Sequence, residues 1–135
     1  MPDRPLPAPT PTSQPFWDGL RRRQLLLQYS PSTRRWVYYP RGLAPGTLAD
    51  DLEWREAAGT GTVYTFTVAR RPTAPAWEGA SPQLIAVVEL DEGPKVTTEL
   101  VDIDPDAIRI GLRVQAVFED VPGRDVTLLK FAPLR

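Results

Sequence analysis

The 135-residue chain contains neither cysteine nor histidine. Those two absences exclude disulfides, thiolate nucleophiles, iron–sulfur clusters, His-ligated metals and any Ser-His-Asp triad. Only carboxylates, Tyr, Lys, Arg and hydroxyls remain for chemistry. Long apolar runs are missing as well. None approaches the roughly 20 residues that cross a bilayer, so no membrane partner is expected. Nor is there an excess of one charge: sixteen basic residues face seventeen acidic ones, for a net charge of −1. That balance argues against capture of nucleic acid by bulk charge. The first fifteen residues are Pro-rich and lack the apolar stretch of a signal peptide, which leads to the expectation of a cytoplasmic protein. Lysine is scarce, since Arg supplies fourteen of the sixteen basic side chains. We read this as coding bias rather than function.

The length suits a single domain with an appendage, and a chain of this size buries roughly two thirds of its unfolded surface. Residues 1–14 carry Pro2, Pro5, Pro7, Pro9 and Pro11 with few large apolar side chains. They read as a disordered or polyproline-like tail, with a Pro-rich docking arm as the competing reading. Pro15 favours a first helical turn, and Phe16, Trp17 and Leu20 share one face, which predicts a helix over 15–23. Leu25–Tyr29 and Trp36–Tyr39 flank the turn residues Ser30-Pro31-Ser32 and predict a hairpin. Pro40, Gly42, Pro45 and Gly46 mark an irregular loop.

From Leu52 onward the pattern is that of short strands. Glu53–Ala57 reads as the start of a first strand, bent by Gly59 and Gly61 and continuing through Val63–Ala69. Within it Tyr64, Phe66 and Val68 alternate with smaller or polar residues. Leu84–Leu90 and Lys95–Val101 flank the turn Asp91-Glu92-Gly93-Pro94. Arg113–Glu119 and Val126–Phe131 flank the turn at 121–124. Asp104 followed by Pro105 predicts a capped helical turn between the third and fourth strands. Five strands with one helical insertion at that point describe an OB-fold barrel. The expected organisation is therefore mainly β: a tail over 1–14, a helix and arm over 15–50, and a barrel over 51–135.

The acidic clusters Asp91-Glu92, Asp102-Asp104-Asp106 and Glu119-Asp120 read as turn and cap chemistry. The Asp102–Asp106 spacing lacks the glycine and closing glutamate of a calcium loop, and Asp91-Glu92 reads as a solvated turn. Arg21, Arg22, Arg23, Arg34, Arg35 and Arg41 against Asp18 leave residues 15–41 at about +5 and the remainder at about −6. The aromatic residues Phe16, Trp17, Tyr29, Trp36, Tyr38 and Tyr39 are interleaved with these arginines. Three readings stay open for this module: a solvated face, a site for phosphate-bearing molecules or a protein partner, and single-stranded nucleic acid. Arg70, Arg71 and Trp77 lie on the loop after the first barrel strand, where barrel folds often bind partners.

Phe16-Trp17-Asp18-Gly19-Leu20, Leu25-Leu26-Leu27-Gln28, Asp51-Leu52-Glu53-Trp54 and the run from Gly59 to Val68 together resemble a known family. It comprises the zinc-ribbon plus OB-fold proteins that accompany thiolases, catalogued as domain of unknown function 35. Val87–Pro94, Ile110–Val114 and Val117–Asp120 continue the likeness, which covers about residues 15–133 in order. It implies an N-terminal helix, a rubredoxin-like ribbon and an OB-fold barrel. It also implies a non-catalytic partner of thiolase-superfamily enzymes, such as lipid-transfer-type thiolases, steroid side-chain aldolases and acyltransferases, that helps to hold acyl-CoA. On this resemblance the phosphate-binding candidates are Arg21, Arg22, Arg34 and Arg35. The partner-binding candidates are Phe16, Trp17, Trp36, Tyr38, Arg70, Arg71 and Trp77. The family's ribbon carries two Cys pairs, and the matching positions here are Ser30, Thr33, Ala44 and Thr47. Ala cannot ligate and neutral hydroxyls are poor zinc ligands, so no zinc and no other cofactor is expected. A structural zinc contributes on the order of 10 kcal/mol to a small module, which the arm must find elsewhere.

The leading expectation is thus an accessory subunit without catalysis of its own, bound to a thiolase-fold enzyme in the cytoplasm; a homodimer is compatible with it. The alternative is an OB-fold protein for single-stranded nucleic acid, against which the acidic barrel speaks. A stand-alone enzyme would have to run on carboxylates and Tyr, and no pair in the sequence is placed for it.

Overall fold

The computed structural model describes residues 4–72, 74–77, 79 and 82–135. Pro15 sits in the first turn of the helix α1 (Gln14–Arg21), where its missing N–H has no intrahelical partner to lose. Ser13 holds the N-cap position, yet its hydroxyl turns back and accepts the Thr10 N–H at 2.9 Å. The helix is stopped just past its C-cap Arg22 by Arg23, which is left-handed at φ 62°. The Arg23 N–H donates to Leu20 O and the Gln24 N–H to Gly19 O, the paired bonds of a Schellman stop with Arg where Gly is usual.

The strand β1 (Leu26–Ser30) forms the expected hairpin with β2 (Arg35–Val37). Its other edge pairs with β3 (Glu53–Glu56), giving an antiparallel sheet in the order β2-β1-β3. This corrects one expectation. Glu53–Ala57 is not the start of the first barrel strand but the third strand of the arm, so the arm runs past residue 50. Gly59 supplies the reason. At φ 80° it turns the chain between β3 and the barrel strand β4 (Thr60–Ala69), and the two join different sheets.

The second sheet adds β5 (Gln83–Leu90), β6 (Lys95–Glu99), β7 (Arg113–Asp120) and β8 (Thr127–Pro133) in the order β6-β5-β4-β7-β8. Its two outer strands meet. Leu100 bridges Phe131 in parallel, and Thr98 Oγ1 donates to Leu129 O at 3.1 Å. The barrel is therefore nearly closed and its edges are covered. Between β6 and β7 the 3₁₀ turn Pro105–Ala107 is capped as expected, with the Asp104 carboxylate accepting the Asp106 N–H at 2.9 Å.

The alternation along β4 breaks where the sequence shows no break. Val63 pairs with Val88 and Thr65 with Val87, so Tyr64 is an extra, bulged residue. Gly61 and Val63 are buried before the bulge, while Phe66 and Val68 turn inward after it. One core joins arm and barrel: Phe16, Leu20, Leu25 and Leu27 belong to the same buried cluster as Val63, Val88, Val114 and Phe131. Residues 4–13 have no regular structure but lie along the barrel. Arg4 Nε donates to Ala76 O at 3.2 Å, and Leu6 is half-buried. Among the described residues no helix is long and apolar enough to cross a membrane.

The opposite charges of arm and barrel meet at the surface where the two adjoin. Arg21 pairs with Asp125 at 2.6 Å, and Arg23 pairs with Asp120, also at 2.6 Å. Arg23 and the Thr127 hydroxyl hold the Asp120 carboxyl at about 2, and Arg113 and Thr60 do the same for Asp91. Both lie below the ordinary value, so their stabilisation is complete above the unfolded carboxylate range and is lost as pH falls toward 2. Denaturant midpoints at pH 7 and pH 5 are expected to agree, with a fall toward pH 2. Arg113→Gln, which removes the partner of Asp91, is expected to shrink that fall; an unchanged fall contradicts the assignment.

Candidate functional site

The arm faces the barrel across a cleft of about 440 Å³. Arg34, Arg35, Trp36, Tyr38 and Arg41 line it from the arm, and Glu92 and Lys95 line it from the β5–β6 turn. Each wall is held by a specific device. Trp36 stacks on Tyr29, ring centroids 5.2 Å apart, and the Arg55 guanidinium covers Tyr29 at 4.1 Å. Gln28 is 6% exposed and grips the backbone of Arg41 from both sides. Its Nε2 donates to Arg41 O at 2.8 Å, and its Oε1 accepts the Arg41 N–H at 2.7 Å. Tyr38 stands edge-on to Phe16, centroids 5.8 Å apart, and burial pushes its phenol up to about 12, so it stays neutral.

The electrostatics of the cleft are lopsided. Among the described residues the guanidinium groups of Arg34, Arg35 and Arg41 meet no carboxylate at ion-pair distance, and all three residues are exposed. Lys95 lies over the Tyr64 ring at 4.8 Å and 3.5 Å from Glu89. Below them Glu92 Oε2 accepts the Ala58 N–H at 2.8 Å, while its buried Oε1 has no partner among the described residues. Three unpaired guanidiniums beside two aromatic faces attract a phosphate or carboxylate and offer a surface for a planar group.

The structure divides the residues expected at a phosphate site. Arg34 and Arg35 line the cleft. Arg21 instead pairs with Asp18 and Asp125, and Arg22 Nε points at Gln24. The partner-binding set divides too. Phe16, expected at a docking surface, is 2% exposed and belongs to the core. Trp17 is half-buried and donates from Nε1 to Tyr39 Oη at 3.0 Å. Trp36 and Tyr38 form cleft walls. Arg70 and Arg71 are exposed at the end of β4. Trp77 ends the short 3₁₀ turn Pro75–Trp77, and its side chain lies outside the described residues.

Sequence reasoning missed Lys95 and Glu92 as cleft residues and Gln28 as the side chain that holds Arg41, and it read Asp91-Glu92 as a solvated turn. The turn is a clip. Asp91 accepts from Arg113 at 2.7 and 2.9 Å and from Thr60 Oγ1 at 2.5 Å. An Arg on β7 and a Thr on β4 carry no local sign that they will meet a turn 22 and 31 residues away. Among the described residues no group of three acidic side chains gathers as a metal site.

Several known proteins are similar to this chain. The family described as "ChsH2, C-terminal OB-fold domain" matches residues 54–119. The "Probable enoyl-CoA hydratase alpha subunit" of Thermomonospora curvata is 37% identical over 111 residues, which is 82% of this chain but 34% of that protein. The chain thus spans about a third of that relative's length. A "DUF35 domain-containing scaffold protein" of Methanocaldococcus jannaschii is 32% identical over 108 residues, 78% of this chain and 75% of the relative. A solved structure described as "Ltp2-ChsH2(DUF35) aldolase" superposes with a TM-score of 0.82 at 34% identity. It covers 95% of this chain and 98% of its own.

Proposed function

The chain belongs to the DUF35 family, and from that premise we propose that it is a non-catalytic accessory subunit of a thiolase-superfamily enzyme acting on acyl-CoA. The observation that carries the reading is the likeness along nearly the whole of both chains to the DUF35 component named in the Ltp2–ChsH2 aldolase. The scaffold name of the Methanocaldococcus relative supports a supporting rather than a catalytic role. In this reading the arm meets the partner. Tyr39, Leu43 and Leu48 are 41%, 44% and 69% exposed and offer it apolar contacts that the half-buried Trp17 and Trp36 do not. The cleft takes the anionic end of the thioester through Arg34, Arg35 and Arg41. No side chain of this protein then needs to move a proton; its contribution is to bind and orient. The pair would work in the cytoplasm.

A tagged form of the protein expressed in its native cell is expected to recover a thiolase-superfamily enzyme in stoichiometric amount. Each charge-assisted hydrogen bond to a phosphate is worth about 1.5–3 kcal/mol. Arg34→Glu with Arg35→Glu is therefore expected to weaken acyl-CoA binding by the recovered complex by about tenfold or more. Recovery of no such enzyme refutes the accessory reading, and unchanged acyl-CoA affinity in the double variant refutes the role of the cleft.

A further inference from the structure

The donor set at the four ribbon positions does not fit a zinc ion. Ser30 Oγ donates to Asp51 Oδ1 at 2.7 Å, Ala44 has no side-chain atom that can ligate, and Thr47 Oγ1 accepts the Ala49 N–H at 3.3 Å. Thr33 Oγ1 turns to Ser30 O at 3.5 Å. Neutral hydroxyls already engaged with the protein do not make a tetrahedral site for this metal. Yet the backbone is still folded as two matching turns. The Arg34 N–H donates to Ser30 O at 2.7 Å, and the Leu48 N–H donates to Ala44 O at 2.9 Å. Each turn closes on a left-handed residue, Arg34 at φ 57° and Leu48 at φ 58°. The first position of each is buried, Ser30 at 0% and Ala44 at 1% exposure.

We infer that the Asp51 carboxylate replaces the metal in this chain by tying the first turn to the segment entering β3, so that the arm closes without any metal. One oxygen accepts from Ser30 Oγ and the other accepts the Ser32 N–H at 2.8 Å. Two donors of one turn thus converge on one side chain 19 to 21 residues further along the chain. The hydrogen bonds from Ser32 and Ser30 also hold the Asp51 carboxyl below the usual range, so the bridging form is the charged one. The second turn needs no bridge. Buried Ala44 packs where a ligand would otherwise sit, and its N–H donates to Ala49 O at 2.9 Å. Thr33 and Ala44 both line the basic cleft, so the carboxylate clasp and the packed alanine together set that wall. The inference rests on the arm alone and stands or falls independently of the acyl-CoA reading.

The test combines metal analysis with amide exchange on the full chain. Protein grown with excess zinc is expected to hold less than a tenth of an equivalent of metal, and a strong chelator is expected to leave arm protection unchanged. Asp51→Ala is expected to speed exchange of the Ser32 and Arg34 amides at least tenfold while Val88 and Val114 in the barrel keep their protection. Should that variant not fold, Asp51→Asn gives the graded readout, since an amide oxygen still accepts the Ser32 N–H but without charge. Stoichiometric zinc whose removal opens the arm overturns the inference. So does an Asp51 variant whose arm amides stay as protected as in the parent protein.

Discussion

Alanine at Gly61 is expected to lower the melting temperature by about 10 °C or to prevent folding altogether. Gly61 lies in β4, the central strand of the barrel sheet, and is paired on one side with Leu90 and on the other with Val114. A Cβ there would lie 2.6 Å from Glu89 O and 2.7 Å from Val88 Cγ1. Real Cβ atoms do not approach a backbone oxygen so closely, so the backbone must shift. The Glu89 oxygen belongs to β5, which is hydrogen-bonded to β4 and to β6. Moving it strains three strands at once. Overpacking of this kind costs about 3 kcal/mol, and for a chain of this length each kcal/mol moves the midpoint by roughly 3–5 °C. Gly42→Ala is the control. That glycine has no atom within 4 Å of the added carbon and no positive φ, so its midpoint should not change. A Gly61→Ala protein that melts with the parent would show that the strands are further apart than described.

Alanine at Phe16 is expected to cost about 3–5 kcal/mol of stability, the range for deleting a buried aromatic ring. The ring is 2% exposed and lies where helix, arm and barrel share one core. Trp17, Tyr38 and Tyr39 surround it with ring centroids 5.0, 5.8 and 5.9 Å away. Offset and edge contacts of this sort contribute about 0.5–1.5 kcal/mol each beyond area burial. The effect should appear in denaturant unfolding before any effect on a partner. Phe16→Leu separates the two roles. It keeps most of the apolar volume, so stability should fall far less than with alanine, and capture of the partner enzyme should be unchanged at low temperature. A Phe16→Leu protein of near-parental stability that no longer captures the enzyme would return Phe16 to the docking surface.

Much of the architecture was written in short stretches of chain. Pro15 and the Phe16–Leu20 spacing specify α1, and Ser30-Pro31-Ser32 between two β-rich runs specifies the β1–β2 hairpin. Asp104-Pro105 specifies a capped turn, and Gly93-Pro94 a tight return between β5 and β6. Each of these depends on neighbours within a few residues, which is why single-chain reasoning reaches them. The lack of cysteine is equally plain in the letters, and none of Ser30, Thr33, Ala44 or Thr47 can supply a thiolate.

What the letters do not carry is which distant groups meet. Glu53–Glu56 has a strand's composition in either sheet, and only its pairing with β1 assigns it to the arm. The bulge at Tyr64 inverts the burial of half of β4, because one extra residue in a ladder of period two exchanges the faces. Arg21 and Arg34 look alike in sequence. The fold neutralises the first against Asp125, 104 residues away, and leaves the second at the cleft with no carboxylate at ion-pair distance among the described residues. Local chain chemistry therefore determined the elements. Which arginines pair with carboxylates of the protein itself, and which stay exposed at the cleft, was decided by contacts that exist only once the barrel has closed.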